Sequence, residues 1–166
     1  MTKEQDGCLI FNGYRLIKDS LECVPINEKK LILTISPNSY GISTKDQIMN
    51  EALKKCDYLQ LDGGYFGWLP WFRDGKKATR ITGWDSFMYY AQKLNETNGK
   101  MFFLGSSKST LAKIKSRMNV DFPNVKVDTF SPPYKPAFST YDNHLMHEAI
   151  NKFKPDVLVI GMTAPK

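Results

Sequence analysis

Apolar positions along this chain fall into short blocks whose period switches between two and about 3.6. The first blocks, Cys8–Phe11 and Tyr14–Ile17, flank Asn12-Gly13, a dipeptide suited to the left-handed backbone of a tight β-turn. They predict a small antiparallel hairpin within an N-terminal region that runs to about Lys30. Lys30–Ser36 (KLILTIS) is a continuous apolar run and predicts the first buried strand. Pro37-Asn38-Ser39-Tyr40-Gly41 reads as the loop after it. Ser43 and Thr44 can then cap a helix, with Asp46 and Gln47 in capping-box positions. Ile48, Met49, Ala52 and Leu53 give that helix an apolar stripe ending near Cys56.

The next strand is the centre of the pattern. Tyr58-Leu59-Gln60-Leu61 rises to Asp62 and stops at Gly63-Gly64. In a parallel sheet such a strand delivers its carboxylate to the edge where ligands bind, and the glycines let the backbone turn sharply. An Asp before Gly is also a common turn residue. After the aromatic run Tyr65–Phe72, the spacing of Phe87, Met88, Ala91 and Leu94 predicts a helix from Asp85 to about Asn95. Asn98-Gly99 ends it. Lys100–Leu104 is a third buried strand. Gly105–Thr110 leads into a helix bearing Leu111, Ile114 and Met118. Val125–Thr129 predicts a strand, and Ser131–Pro136 a Pro-rich loop. Ser139 and Asp142 box the start of a helix reaching about Phe153, and Val157–Ile160 is the last strand. Strands alternating with helices imply an α/β fold: a Rossmann-like, mostly parallel sheet with helices on both faces. We read one domain, residues 1–30 forming the hairpin region and 31–166 the α/β core.

Composition narrows the class. The 166 residues are 42% hydrophobic and 24% charged, as in ordinary soluble domains. No apolar run nears the ~20 residues that span a bilayer, and the first residues lack a signal-peptide pattern. Cys8, Cys23 and Cys56 are scattered, with no C-x-x-C. Reduced thiols of a cytoplasmic protein are expected rather than a disulfide framework. The net charge of +6 suits an anionic ligand or an acidic membrane surface. No basic block resembles a nucleic-acid arm.

Familiar chemistry is missing. There is no G-x-G-x-x-G after a strand, no G-x-x-x-x-G-K-[ST], no G-x-S-x-G and no D-x-D. His144 and His147 stand three apart, but no H-E-x-x-H accompanies them, so no metal site is expected. What remains is Asp62 at a strand end and Arg80 before a helix. Hydroxyl-rich loops stand at three other strand ends: Thr34–Ser39, Ser106–Thr110 and Thr163. They suit a phosphate-bearing donor and a general base. The aromatic run reads equally as core packing and as a wall for an apolar or lipid-linked ligand.

Five motifs in register resemble the WecG/TagA/CpsF glycosyltransferases of bacterial cell-surface polymer synthesis. The family's T-x-N-P-x-S-Y stands here as Thr34-Ile35-Ser36-Pro37-Asn38-Ser39-Tyr40, and its D-G-x-G as Asp62-Gly63-Gly64. Its R-x-x-G-x-D is matched by Arg80, Gly83 and Asp85. Phe103-Leu104-Gly105-Ser106 also fits, as do Pro155-Asp156 through Gly161, Pro165 and Lys166. The resemblance covers about Leu31–Lys166.

It implies inverting, metal-independent transfer of an N-acetylhexosamine-type sugar, often N-acetylmannosamine or its uronate, from a UDP donor. The implied acceptor is a polyprenyl-diphosphate-linked sugar at the cytoplasmic membrane face, with peripheral membrane contact. No cofactor is implied, and a homo-oligomer is compatible. Asp62 becomes the general base. Thr34, Ser36, Asn38 and Arg80 become substrate-binding residues, together with Gly63, Gly105, Ser106, Pro165 and Lys166.

Two departures stand out. Ser36 replaces the family's Asn. The chain also stops at Lys166, where the family continues with Gln-Glu and a basic tail, so a trimmed form, folded but weak in turnover, is expected. The alternative is a non-catalytic member that binds a nucleotide sugar or an assembly partner.

Overall fold

A computed structural model describes residues 3–5, 7–11, 13–63, 75 and 78–162. Asn12, Gly64, the aromatic run Tyr65–Phe72, Thr163, Pro165 and Lys166 lie outside the described residues. The chain divides into two compact units, Met1–Ser86 and Phe87–Lys166.

The first unit holds β1 (Lys3–Gln5), β2 (Cys8–Phe11), β3 (Tyr14–Ile17), β4 (Ile32–Ile35) and β5 (Tyr58–Leu61), in the order β1-β2-β3-β5-β4. The predicted hairpin is present: β2 and β3 are antiparallel, with Phe11 opposite Tyr14. Gly13 supplies a left-handed φ of 83° in the connection. The hairpin does not stand ahead of the sheet, however. β3 joins β5 in parallel, Leu16 opposite Leu59, and β5 joins β4 in parallel. The period of two sends Leu9, Leu16, Ile35, Leu59 and Leu61 into one core, where Tyr40, Met49 and Leu53 pack on them.

Tyr40 arrives on a helix where the sequence reads as a loop. Pro37–Ser43 is α1. Pro37 sits in its first turn, where a missing N–H costs nothing. Ser36 caps it by accepting from Ser39 N (3.2 Å), and Ser39 Oγ accepts from Ser36 N (2.7 Å). That reciprocal pair outweighs the loop-forming character of Asn38 and Gly41. The next helix, α2 (Gln47–Lys55), is capped by Asp46 rather than by Ser43 or Thr44: its carboxylate accepts from Met49 N at 3.0 Å. The buried face of α2 is Met49 and Leu53, whereas Ile48 is 84% exposed. The predicted stripe is therefore narrower than its apolar residues suggest.

The second unit is a three-stranded parallel sheet, β7-β6-β8, from β6 (Lys100–Leu104), β7 (Lys126–Phe130) and β8 (Val157–Ile160). The central strand is buried on both faces. Met101 and Phe103 pack with Ala91 and Leu94 of α3 (Gly83–Thr97) and with Leu111 and Met118 of α4 (Lys108–Asp121). Phe102 and Leu104 pack with Met146 of α5 (Thr140–Phe153). Burying a side chain such as Phe102, 1% exposed, contributes about 1.5–3 kcal/mol. The predicted Ser139–Asp142 capping box is formed, and Asn98 turns left-handed after α3 at φ 54°. The parallel α/β class with helices on both faces is thus present. Its strands are shared between two sheets rather than lined up in one.

Both units repeat one local device. Asp57, just before β5, donates its N–H to Leu31 O (3.0 Å) and accepts from Leu31 N through Oδ2 (2.7 Å). Asp156, just before β8, does the same with Lys100: N–H to O at 3.0 Å, and Lys100 N to Oδ2 at 2.8 Å. Each closes a two-bond ring at the amino edge of a parallel strand pair.

Candidate active site

The carboxyl end of β5 is held from both sides. Towards β4, Asp62 N donates to Ile35 O at 2.8 Å. On the other flank the chain returns in extended form. Thr79 N donates to Lys18 O (2.6 Å), Arg80 bridges Leu61 in parallel, and Ile81 N donates to Leu61 O (3.1 Å). This brings Arg80 beside Asp62, with Nη2 donating to Oδ1 at 3.2 Å. The side chains are 55% and 39% exposed. An ion pair this open to water contributes at most about 1 kcal/mol. Its effect is to aim two opposite charges at one edge. A guanidinium carries five N–H donors, and this contact uses one.

The helix after Arg80 starts on a second box. Asp85 Oδ2 accepts from Thr82 N and from Thr82 Oγ1, both at 2.7 Å, and Asp85 N donates to Thr82 Oγ1 at 3.2 Å. The Thr82 hydroxyl, then its backbone N–H, and then the charge of Arg80 hold the Asp85 carboxyl below its ordinary range. The Asp of R-x-x-G-x-D therefore closes a helix cap here, while the Arg meets Asp62. Ser36 likewise spends its side chain capping α1. Asn38 is exposed on the first turn of that helix, and Gly63 is half-buried directly after Asp62.

Thr34 is exposed on the edge strand β4, opposite Gln60 of β5. Gln60 is 2% exposed, and both ends of its carboxamide are engaged. Nε2 donates to Thr34 Oγ1 at 2.6 Å, and Oε1 accepts from Ser86 Oγ at 2.5 Å. The sequence does not single out Gln60 or Ser86. The only available signal is a carboxamide between two leucines in a strand that is otherwise apolar up to Asp62.

The first unit thus gathers Thr34, Ser36, Asp62, Gly63 and Arg80 around the carboxyl ends of β4 and β5. Gly105 and Ser106 belong to the second unit, after β6, both at positive φ (103° and 72°). A Cβ on Gly105 would meet Met162 Cγ at 2.7 Å and Gly161 O at 2.8 Å. Ser106 O accepts from Ser131 Oγ at 2.9 Å. Ser107 caps α4, and its hydroxyl lies 3.0 Å from those of Ser109 and Thr110. His144 and His147 are exposed. Among the described residues no three His, Cys, Asp or Glu side chains are grouped to hold a metal ion. No helix among them is long and apolar enough to cross a membrane.

Two curated relatives share this chain's sequence at low identity. One, from Bacillus subtilis (strain 168), is 23% identical over 149 residues, covering 89% of this chain and 56% of the relative. The other, from Bacillus spizizenii (strain ATCC 23059 / NRRL B-14472 / W23), is 22% identical over 139 residues, covering 84% and 52%. Both are named N-acetylglucosaminyldiphosphoundecaprenol N-acetyl-beta-D-mannosaminyltransferase. The chain spans about half the length of these relatives. The profile of the glycosyl transferase WecG/TagA/CpsF family matches residues 13–166, nearly the whole chain, and the chain belongs to that family.

Proposed function

We propose that this chain carries the catalytic carboxylate of an inverting glycosyltransferase. Its donor is a UDP-linked N-acetylhexosamine, N-acetylmannosamine or its uronate. Its acceptor is a polyprenyl-diphosphate-linked sugar at the inner face of the cell membrane. The observation that carries the reading is the Asp62–Arg80 pair at the carboxyl end of β5. A hydroxyl of the acceptor attacks the anomeric carbon from the face opposite the leaving group. As the new C–O bond forms, its proton passes to the Asp62 carboxylate. The bond from anomeric carbon to diphosphate oxygen breaks, and UDP leaves with the electron pair. Arg80 offers its remaining N–H groups to the diphosphate, where two parallel bonds suit a guanidinium.

The metal-independent form of the reaction is supported by the lack of D-x-D in the sequence and by a cationic side chain beside the base. The net charge of +6 supports a peripheral contact with an anionic membrane. The alternative, a family member that binds without turnover, drew support from Ser36. That support weakens because Ser36 caps α1, and Ser and Asn serve as caps about equally well.

The test is turnover by the protein of UDP-N-acetylmannosamine with a polyprenyl-diphosphate N-acetylglucosamine acceptor, in excess chelator, with the product anomer read by NMR. Release of UDP with inversion is expected. Retention of configuration, or activity abolished by chelator and restored by a divalent ion, overturns the corresponding part of the reading.

A further inference from the structure

A primary amide is directional: one end only donates and the other only accepts. Gln60 lies between two hydroxyls, its Nε2 on Thr34 Oγ1 at 2.6 Å and its Oε1 under Ser86 Oγ. It is 2% exposed, so water does not substitute for either partner. An unmatched amide there would cost about 1–3 kcal/mol. The two hydroxyls therefore have opposite polarity. The hydrogen of Ser86 is spent on Gln60. The oxygen of Thr34 is engaged as an acceptor, which leaves its hydrogen available to donate from an exposed position on β4.

From the sheet register, Thr34 lies opposite Gln60, two residues before Asp62. That is about 7 Å of strand, within the span of a diphosphate whose other oxygens face Arg80. Resting on the donor reading above, we propose that Gln60 is a positioning residue. Without touching substrate, it fixes Thr34 as a hydrogen-bond donor to an anionic diphosphate oxygen of the sugar nucleotide. Ser86 holds the amide in that sense. A hydroxyl committed to donating favours a charged oxygen over a sugar hydroxyl of either polarity.

Calorimetry with UDP tests this on wild type, Thr34→Val, Thr34→Ser, Gln60→Met and the double variant Thr34→Val/Gln60→Met, with urea unfolding of each to confirm folding. Thr34→Val and Gln60→Met are each expected to weaken UDP binding about tenfold, the loss of one charge-assisted bond. Thr34→Ser should retain wild-type affinity. The double variant should bind no worse than Thr34→Val, because Gln60 acts through that hydroxyl. If Gln60→Met does not fold, Ser86→Ala takes its place in the same cycle. Wild-type affinity in the Gln60 or Ser86 variant, or a double variant weaker by about the product of the two losses, overturns the inference alone. A wild type that does not bind UDP overturns the donor reading and the inference with it.

Discussion

Arg80 Nη2 donates to Asp62 Oδ1 at 3.2 Å across eighteen residues of sequence. The candidate base and the candidate diphosphate ligand are therefore neighbours, and neither can be changed without the other noticing. Under the proposed transfer, Asp62→Asn is expected to lower turnover about 10²–10⁴-fold, the usual range for losing a general base. UDP affinity should change far less. Arg80→Ala should weaken donor binding first. The double variant should fall short of the product of the single losses, since contacting residues rarely act independently. Steady-state kinetics with calorimetry checks all three, and intact turnover in Asp62→Asn would reduce Asp62 to a turn residue.

Ser36 holds the position where the family carries Asn, and its side chain accepts from Ser39 N at 3.2 Å. If capping is what the position requires, Ser36→Asn should leave stability within about 0.5 kcal/mol of wild type. Ser36→Ala should cost about 1 kcal/mol. Urea unfolding measures both. Equal losses in the two variants would contradict the capping role.

Asp142 is buried at the start of α5 with Lys135 Nζ 2.6 Å away. The Lys135 ammonium, followed by the Ser139 hydroxyl and N–H, pulls its pKa down to about 2. The unfolded chain titrates near the ordinary value of about 4, so in acid the native state binds fewer protons than the unfolded one. The stabilisation is complete above about pH 4, declines as pH falls through the window, and is gone below about pH 2. Unfolding midpoints of wild type and Asp142→Asn should converge as pH drops from 4 to 2. Parallel curves across that window would rule out this linkage.

Gly105 is a described glycine where backbone and space agree. Its φ is 103°, and a Cβ would come within 2.8 Å of Gly161 O. Gly105→Ala is expected to cost at least about 1–3 kcal/mol from the strained backbone alone. Gly41→Ala, where a Cβ meets nothing within 4 Å, should stabilise α1 by about 0.4–1 kcal/mol. Thermal unfolding of the two variants should move in opposite directions.

Much of this was legible because it is local. Asn12-Gly13 between apolar pieces gave the hairpin, Ser139 with Asp142 gave the last helix start, and the run to Leu61 put Asp62 at a strand end. What the sequence hid depends on distance. Gln60 meets Thr34 and Ser86, each twenty-six residues away, and nothing near Gln60 announces either. β3 was expected in a separate hairpin because its partner Leu59 lies far along the chain. α1 was missed for another reason: Pro, Asn and Gly all read as loop signals, yet Pro at a first turn and a reciprocal serine box reverse their meaning. The division into two sheets has no local signature at all.

The aspartate rings at Asp57 and Asp156 have a consequence for how such a protein changes over time. A parallel pair that slips by one residue turns its whole buried face outward. Each ring closes in one alignment only, so it anchors the pair at the amino edge. The opposite edge is then released from that duty. Segments following Ile35, Leu61 and Ile160 can be lengthened, shortened or exchanged while the strands beneath stay aligned. A lineage, or an engineer, can rework the carboxyl edge of either unit by grafting its own segments, with that unit's aspartate left in place to keep its strand pair in step.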